Sequence, residues 1–357
     1  MAKLDGLLKA MVENNASDLF LSAGSAPCFK IHGEVRTTTA SPLTPDFCQQ
    51  LLFEILTAEQ RREFESAHDL DFAYEIAGVA RFRGNLFLQR KGVSAVFRMI
   101  PMEIKSVEDL GLPDIVKKLA RSNRGLILVT GTTGSGKSTT LAAMIDLRNR
   151  EKPEHILTLE DPLEFVHENK KCLIQQRQIG EHSQSFSTAL RAALREAPDV
   201  ILVGEMRDLE TISLAITAAE TGHLVYGTLH TSSAAKTVDR IIDAFPEEQQ
   251  NQVRTMLADT LRGVISQTLV KRAEGKGRVA ALEIMVSTPA IANLIREAKT
   301  YQIVSALQTG KKEGMITLDQ YLMNLMMNKT IFAEEAFRNA INKEMFMPYL
   351  MPGKRAE

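Results

Sequence analysis

Long apolar runs are missing from this chain. Nowhere do eighteen apolar residues follow one another, so no membrane-spanning helix is expected. The opening stretch, Met1–Asn15, mixes charges into its apolar pattern and lacks the continuous core of a secretion signal. Cysteine is scarce: Cys28, Cys48 and Cys172 lie far apart and form no CxxC pair, so a structural zinc site is not expected. Scattered thiols in odd number fit a reducing compartment, and a cytoplasmic location is the expectation. Net charge is lacking too. Forty-three basic residues face forty-four acidic ones, leaving −1. That balance argues against a chain whose main task is neutralising nucleic-acid phosphates, and no nucleic-acid partner is expected. Internal repeats and low-complexity tracts are also absent.

What is present reads as a soluble globular protein, with 44% hydrophobic and 24% charged residues. Its 357 residues suit two domains and an appendage. Leu4, Leu7, Leu8, Met11 and Val12 recur at helical spacing and predict an amphipathic opening helix. Leu19 and Leu21, then Phe29 and Ile31, alternate as strands do. Thr44-Pro45 reads as a helix cap with proline at the first helical position, and Thr57 to Gln60 spells a capping box. From Leu70 the period becomes two. Ala80, Phe82, Leu86 and Leu88 fall on one strand face, and Arg81, Arg83 and Asn85 on the other. Residues 1–100 therefore read as a small α+β domain with an antiparallel sheet.

Prolines and a glycine between Pro101 and Pro113 mark an interdomain linker, taken as 101–123. From 124 to 288 short apolar strands alternate with helices: Leu126–Thr130, His155–Leu159, Val200–Val203, Leu224–Thr228 and Val279–Val286. The alternation predicts an α/β domain with a mainly parallel sheet. Residues 289–357 read as helical, and the methionines around Leu318–Met327 as core or interface filler.

The chemistry concentrates in the second domain. Gly131, Thr132, Thr133, Gly134, Ser135, Gly136, Lys137 and Ser138 match the phosphate-loop pattern at every required position, between an apolar strand and the helix-forming run opened by Thr139. Glycines let backbone N–H groups turn toward phosphate oxygens at a helix N-terminus, whose dipole favours anions. Lys137 is placed to reach the β- and γ-phosphates of ATP, and the Ser138 hydroxyl to ligate Mg²⁺. A second strand, Asp199 to Val203, delivers Glu205 at its carboxyl end, a candidate either for the Mg²⁺ shell or for polarising water. A third strand exit carries Glu160, Asp161 and Glu164; a solvated loop or a helix cap is the alternative reading of any one of these acids. His223 and His230 bracket one strand, so that one of them is a candidate sensor of the γ-phosphate. Arg81 and Arg83, with Arg98 on the neighbouring strand, form a basic sheet face that either faces solvent or supplies a charge to a nucleotide site.

Four segments together, GTTGSGKS, LEDPLEF, DVILVGEMRD and TGHLVYGTLHT, resemble the secretion ATPase superfamily. Within it the chain is most similar to the twitching-motility (PilT) family of type IV pilus retraction ATPases, through Ser17-Asp18-Leu19, RFRGN, ALRAALREAPD, HTSSAAKTVDRIIDAFP and AIANLIRE. The resemblance implies a PAS-like N-terminal domain, a RecA-like ATPase domain with a C-terminal helical appendage, and a homohexameric ring at the cytoplasmic face of the inner membrane. It implies ATP hydrolysis driving pilus disassembly, an inner-membrane platform protein as partner, and a paralogous retraction ATPase as another. It assigns catalytic and Mg²⁺-associated roles to Glu164 and Glu205, histidine-box roles to His223 and His230, and arginine-finger roles to Arg81, Arg83 and Arg98. The family's AIRNLIRE helix has Ala292 here in place of its first arginine, so an accessory retraction paralogue is the alternative. Assembly and type II secretion ATPases usually carry a longer N-terminal region and a tetracysteine insert, and membership among them is not expected. A DNA translocase, a nucleotide-sensing scaffold and a small-molecule kinase fit less well, for want of basic charge, because the acids are retained, and for want of an acceptor lid.

Overall fold

The computed structural model describes residues 2–31, 33–100, 103–275 and 277–350. The chain divides into two compact units, Met1–Glu103 and Ile104–Glu357. In the first, six strands are β1 (Asp18–Ser22), β2 (Cys28–Ile31), β3 (Glu34–Thr37), β4 (Asp69–Ile76), β5 (Ala80–Gln89) and β6 (Gly92–Ile100). They form one sheet in the order β3-β2-β1-β6-β5-β4, with every neighbouring pair antiparallel. Alternation decides its faces. Leu19, Leu21, Phe82, Leu86 and Phe97 are buried with Leu4, Leu8 and Met11 of helix Leu4–Glu13 and with Leu51 and Leu52 of helix Pro45–Phe53. Both expected caps form: Thr44 accepts the Phe47 N–H, and Thr57 and Gln60 close a reciprocal capping box ahead of helix Ala58–Ala67.

The second unit is built on a seven-stranded sheet of β7 (Gly125–Thr130), β8 (His155–Glu160), β9 (Leu173–Gln178), β10 (Val200–Val203), β11 (Leu224–Leu229), β12 (Leu261–Lys271) and β13 (Arg278–Val286). The order is β13-β12-β7-β11-β10-β8-β9. All neighbours are parallel except β12 and β13. Every residue of β7, β10 and β11 is buried, as expected of strands covered by helices on both faces. Two of the seven strands escape the sequence reading. β9 lies at the sheet edge, is polar at four of its six positions, and shows no clean alternation. β12 follows helix Glu247–Thr260 with no turn residue between them, because Leu261 is at once the helix C-cap and the first strand residue.

The segment expected as a linker carries helix Asp114–Ala120, and Val107, Leu112, Val116 and Leu119 are buried in the core beneath the seven-stranded sheet. Apolar residues between the prolines therefore belong to the second unit; Pro101 and Met102 lie outside the described residues. Beyond β13 the chain is helical, and Leu322, Met323 and Met326 of helix Leu318–Met327 pack with Val270 and Ala281 of the β12–β13 hairpin. Among the described residues no helix is long and apolar enough to cross a membrane.

Candidate nucleotide-binding site

β7 ends at Thr130 and helix Lys137–Glu151 begins at Lys137, leaving six residues to turn the chain at the carboxyl edge of the sheet. Gly131, Gly134 and Gly136 take φ values of +143°, +77° and +89°, a region costly for residues with a Cβ. Space is restrictive as well: a Cβ on Gly136 would lie 2.7 Å from Gln267 Nε2. Thr132, Thr133 and Gly134 are exposed, and Ser138 and Thr139 are half-buried in the first helical turn. Lys137 folds back over the loop, donating to the carbonyls of Gly131 at 2.9 Å and Thr132 at 3.2 Å. Burial holds its ammonium below the usual lysine range, against the opposing pull of Glu205 and Glu164. Ser135 Oγ is buried without a hydrogen-bond partner among the described residues. Crowded glycines, an orphaned hydroxyl and a lysine held among carbonyls match a loop shaped to take phosphate oxygens.

Parallel pairing brings the other acids to the same sheet edge, because β10 and β8 run in register with each other and alongside β11 and β7. Gly204 and Glu205 follow β10 directly. Glu205 is held by Arg207, at 2.5 Å from Nε and 2.6 Å from the second guanidinium nitrogen, and by His230 Nε2 at 3.2 Å. Partial burial pushes its carboxyl upward, but Arg207, His230 and Lys137 outweigh that, and the net shift is below the usual carboxylate range. Glu160, at the end of β8, accepts from Thr158 Oγ1 at 2.7 Å and Gln176 Nε2 at 3.3 Å, while the Glu164 N–H approaches it at 3.5 Å. Burial moves the Glu160 carboxyl the other way, above its usual range. Glu164 is exposed. One site thus holds two acids whose environments drive their affinities for protons apart.

The two histidines part company. His230 lies at the carboxyl end of β11 against Glu205. His223 lies at the amino end, where Nδ1 pairs with the Ala218 carbonyl at 3.0 Å and its own carbonyl accepts the Gly125 N–H. Six strand residues at about 3.3 Å each separate the two ends by about 20 Å. Within one copy of the chain, His223 is therefore remote from the phosphate loop. In the first unit, Arg83 lies directly across from Arg98, and Arg81 shares their face. Arg98 is bonded to the buried carboxylate of Asp18 at 2.8 Å, and Arg83 reaches Asp71 at 3.7 Å.

Three residues at the site are given no role by the sequence reading. Arg207 lies in an exposed loop. Thr140 and Gln267 bond to each other at 2.8 Å, across 127 positions. The signal that could have found Gln267 is the polar run Ser266-Gln267-Thr268 inside an otherwise apolar strand, since buried polar groups demand partners.

His167, in the loop after the acidic strand exit, is a buried imidazole whose Nδ1 has no hydrogen-bond partner among the described residues. Burial lowers its pKa to about 4, with Lys170 adding to that shift and Asp146 opposing it. The folded value lies below the ordinary one near 6.5. The resulting stability is complete above about pH 6.5 and is lost as pH falls toward about 4. The loss at the acid end amounts to about 3 kcal/mol. His167→Phe should flatten that part of the stability–pH profile, measured by denaturant unfolding between pH 7 and 4. An unchanged slope would show that His167 does not titrate in the unfolding reaction.

A mainly parallel sheet whose interior strand β7 runs into a glycine-rich phosphate loop, with an acid presented by the strand two positions away, defines a P-loop nucleotide-binding protein. The chain belongs to the Type II/IV secretion system protein family, whose pattern matches residues 2–338. It is 54% identical over 340 residues to the type IV pilus retraction ATPase PilT of Pseudomonas aeruginosa, covering 95% of this chain and 98% of that one. It is 40% identical over 338 residues to the type IV pilus ATPase PilU of the same organism, covering 95% and 88%. The crystal structure of a pilus retraction motor PilT with bound ADP superposes with a TM-score of 0.91 at 46% identity, covering 97% of this chain and 98% of that one.

Proposed function

We propose that this chain is a motor ATPase that hydrolyses ATP to drive type IV pilus retraction and twitching motility. The observation that carries the reading is the phosphate loop set beside the Glu205–His230–Arg207 cluster, in a chain 54% identical to a retraction ATPase. ATP is the substrate, its phosphates received by residues 131–139. Mg²⁺ fits the donor set: the Ser138 hydroxyl and Glu205 would hold it, and it would neutralise charge on the phosphate oxygens. Glu205 and Glu164 are proposed to act on the attacking water and the metal shell, with Glu160 beneath them and His230 reporting the γ-phosphate through its contact with Glu205. The finer architecture is part of the same reading: a PAS-like unit at 1–100, a RecA-like core at 124–288 joined by the helix-bearing segment before it, and a helical appendage at 289–357. So are a homohexameric ring, in which His223 and the arginines Arg81, Arg83 and Arg98 serve a neighbour's site, a cytoplasmic position at the inner membrane, and a membrane platform protein and a paralogous ATPase as partners.

A second reading, the accessory paralogue, is favoured by Ala292 alone. That residue is 8% exposed, buried with Leu257, Ile291 and Ile295 where helix Pro289–Arg296 packs on helix Glu247–Thr260. Identity of 40% to PilU against 54% to PilT places the weight on the main retraction enzyme. A deletion strain decides: hyperpiliated, immobile cells support retraction, whereas bald cells point to assembly. For the site itself, Lys137→Ala should lower phosphate release by about 10²–10³-fold. The thermal midpoint should change little, because Lys137 bonds only to loop carbonyls. A variant that hydrolyses at the parental rate would remove Lys137 from the reaction.

A further inference from the structure

Gln267 is 5% exposed in β12, and the hydrogen bonds at both ends of its amide are buried. A buried amide is tolerated only when both ends are paired. Its Nε2 donates to the Ser135 carbonyl at 2.7 Å, and its Oε1 accepts from Thr140 Oγ1 at 2.8 Å. Chemistry fixes that orientation. A backbone carbonyl only accepts, so the amide nitrogen must face Ser135, and the oxygen is left for the Thr140 hydroxyl. The two partners bracket Gly136 to Thr139, where the loop becomes helix Lys137–Glu151.

We infer that Gln267 is a positioning residue for nucleotide binding: it holds the Ser135 carbonyl against β12 and thereby aims the following backbone N–H into the phosphate cradle. The reason lies in the peptide plane. In a trans peptide the Ser135 C=O and the Gly136 N–H point in opposite directions, so anchoring the first outward presents the second inward. The crowding of the loop against β12 has the same origin. A Cβ on Gly131 would collide with the Gln267 carbonyl oxygen, and one on Gly136 with its side-chain nitrogen. β12 thus acts as the template on which the phosphate loop is laid, and Thr140 keeps the amide from turning over.

Two features set this role apart from simple packing. First, the pair is directional: a glutamate at 267 keeps the shape but sets a carboxylate oxygen against the Ser135 carbonyl. Second, the interaction is made alike in the substrate-bound and transition states, so its loss weakens binding more than turnover. The inference rests on residues 131–138 being the nucleotide loop, and the test keeps the two apart. ADP and MgATP are titrated into the intact parental protein and into Gln267→Glu, Thr140→Val and Thr140→Ser, and phosphate release is followed over a range of ATP concentrations. The expected result is a rise of about ten- to a hundredfold in the ADP Kd and ATP KM for Gln267→Glu and Thr140→Val. The kcat values should stay within about threefold of the parent, and Thr140→Ser should restore parental binding. A parental protein that binds neither nucleotide would remove the nucleotide-loop reading itself. Parental binding with an unchanged Kd in Thr140→Val would overturn the role of Gln267, as would a fall in kcat at unchanged KM. If Gln267→Glu does not fold, the two threonine variants still decide.

Discussion

Glu205→Gln should retain ATP binding while its turnover falls by about 10²–10⁴-fold, the range for removing a general base or its equivalent. The substitution keeps the shape and removes the charge. That charge is what the surroundings are organised to hold: Arg207 grips both oxygens and His230 approaches one of them. Their combined effect overcomes partial burial and keeps the carboxylate ionised below its usual range, ready to attract a metal shell or a water proton. Binding should survive because the phosphate loop lies on different strands and is held by Gln267 and Thr140, not by Glu205. Glu164→Gln makes the parallel case at an exposed position that no ion pair restrains among the described residues. Phosphate release and equilibrium binding on the same preparations separate the outcomes. If both variants lose ATP binding, these acids shape the loop and do not act in the reaction.

The phosphate loop was legible because everything it needs is contiguous: an apolar strand, three glycines, the lysine and the helix follow one another in the chain. Glu205 and Glu160 were nearly as plain, since a short apolar run closed by an acid marks the carboxyl end of a parallel strand. The histidines show the limit of that reasoning. Bracketing a strand in sequence means standing at opposite edges of the sheet, and β11 places His230 beside Glu205 and His223 beside Gly125. A sequence records the order of the two residues, but the edge that matters is set by the direction of the strand relative to β7.

Gln267 was out of reach for a different reason. It meets Ser135 across 132 positions, on a strand that follows its helix without punctuation. Local signals of turn chemistry and alternation cannot find such a strand, because β12 is buried over much of its length and carries Ser266 and Gln267 inward. The segment between the two units failed in the opposite direction. Its prolines and glycine read as loose chain, but a stripe of four apolar residues, Val107, Leu112, Val116 and Leu119, is buried in the sheet's core. Burial outweighs local turn propensity here, much as tertiary context overrides helix propensity elsewhere.

Arg83→Ala should reduce turnover by about 10³–10⁵-fold if its guanidinium meets the charge that develops on the γ-phosphate. Arg83 is better suited to that role than its cross-strand neighbour Arg98. Arg98 is committed to the buried Asp18 carboxylate at 2.8 Å, whereas Arg83 is exposed and holds Asp71 only loosely, at 3.7 Å. A weakly held guanidinium loses little in turning toward another anion. The first unit has no phosphate loop of its own, and in a closed ring of copies the phosphates it serves are expected to be a neighbour's. Mixing tests this directly. An Arg83→Ala copy keeps a working phosphate loop but lacks the guanidinium, and a Lys137→Ala copy has the reverse defect. When subunits exchange, mixed rings should contain some sites with both groups intact, and phosphate release should exceed the sum of the two variants measured apart. Rings shown to be mixed that never exceed that sum would place the arginine in service of its own chain. Parental turnover in Arg83→Ala alone would take it out of the reaction, leaving its sheet face as solvated surface.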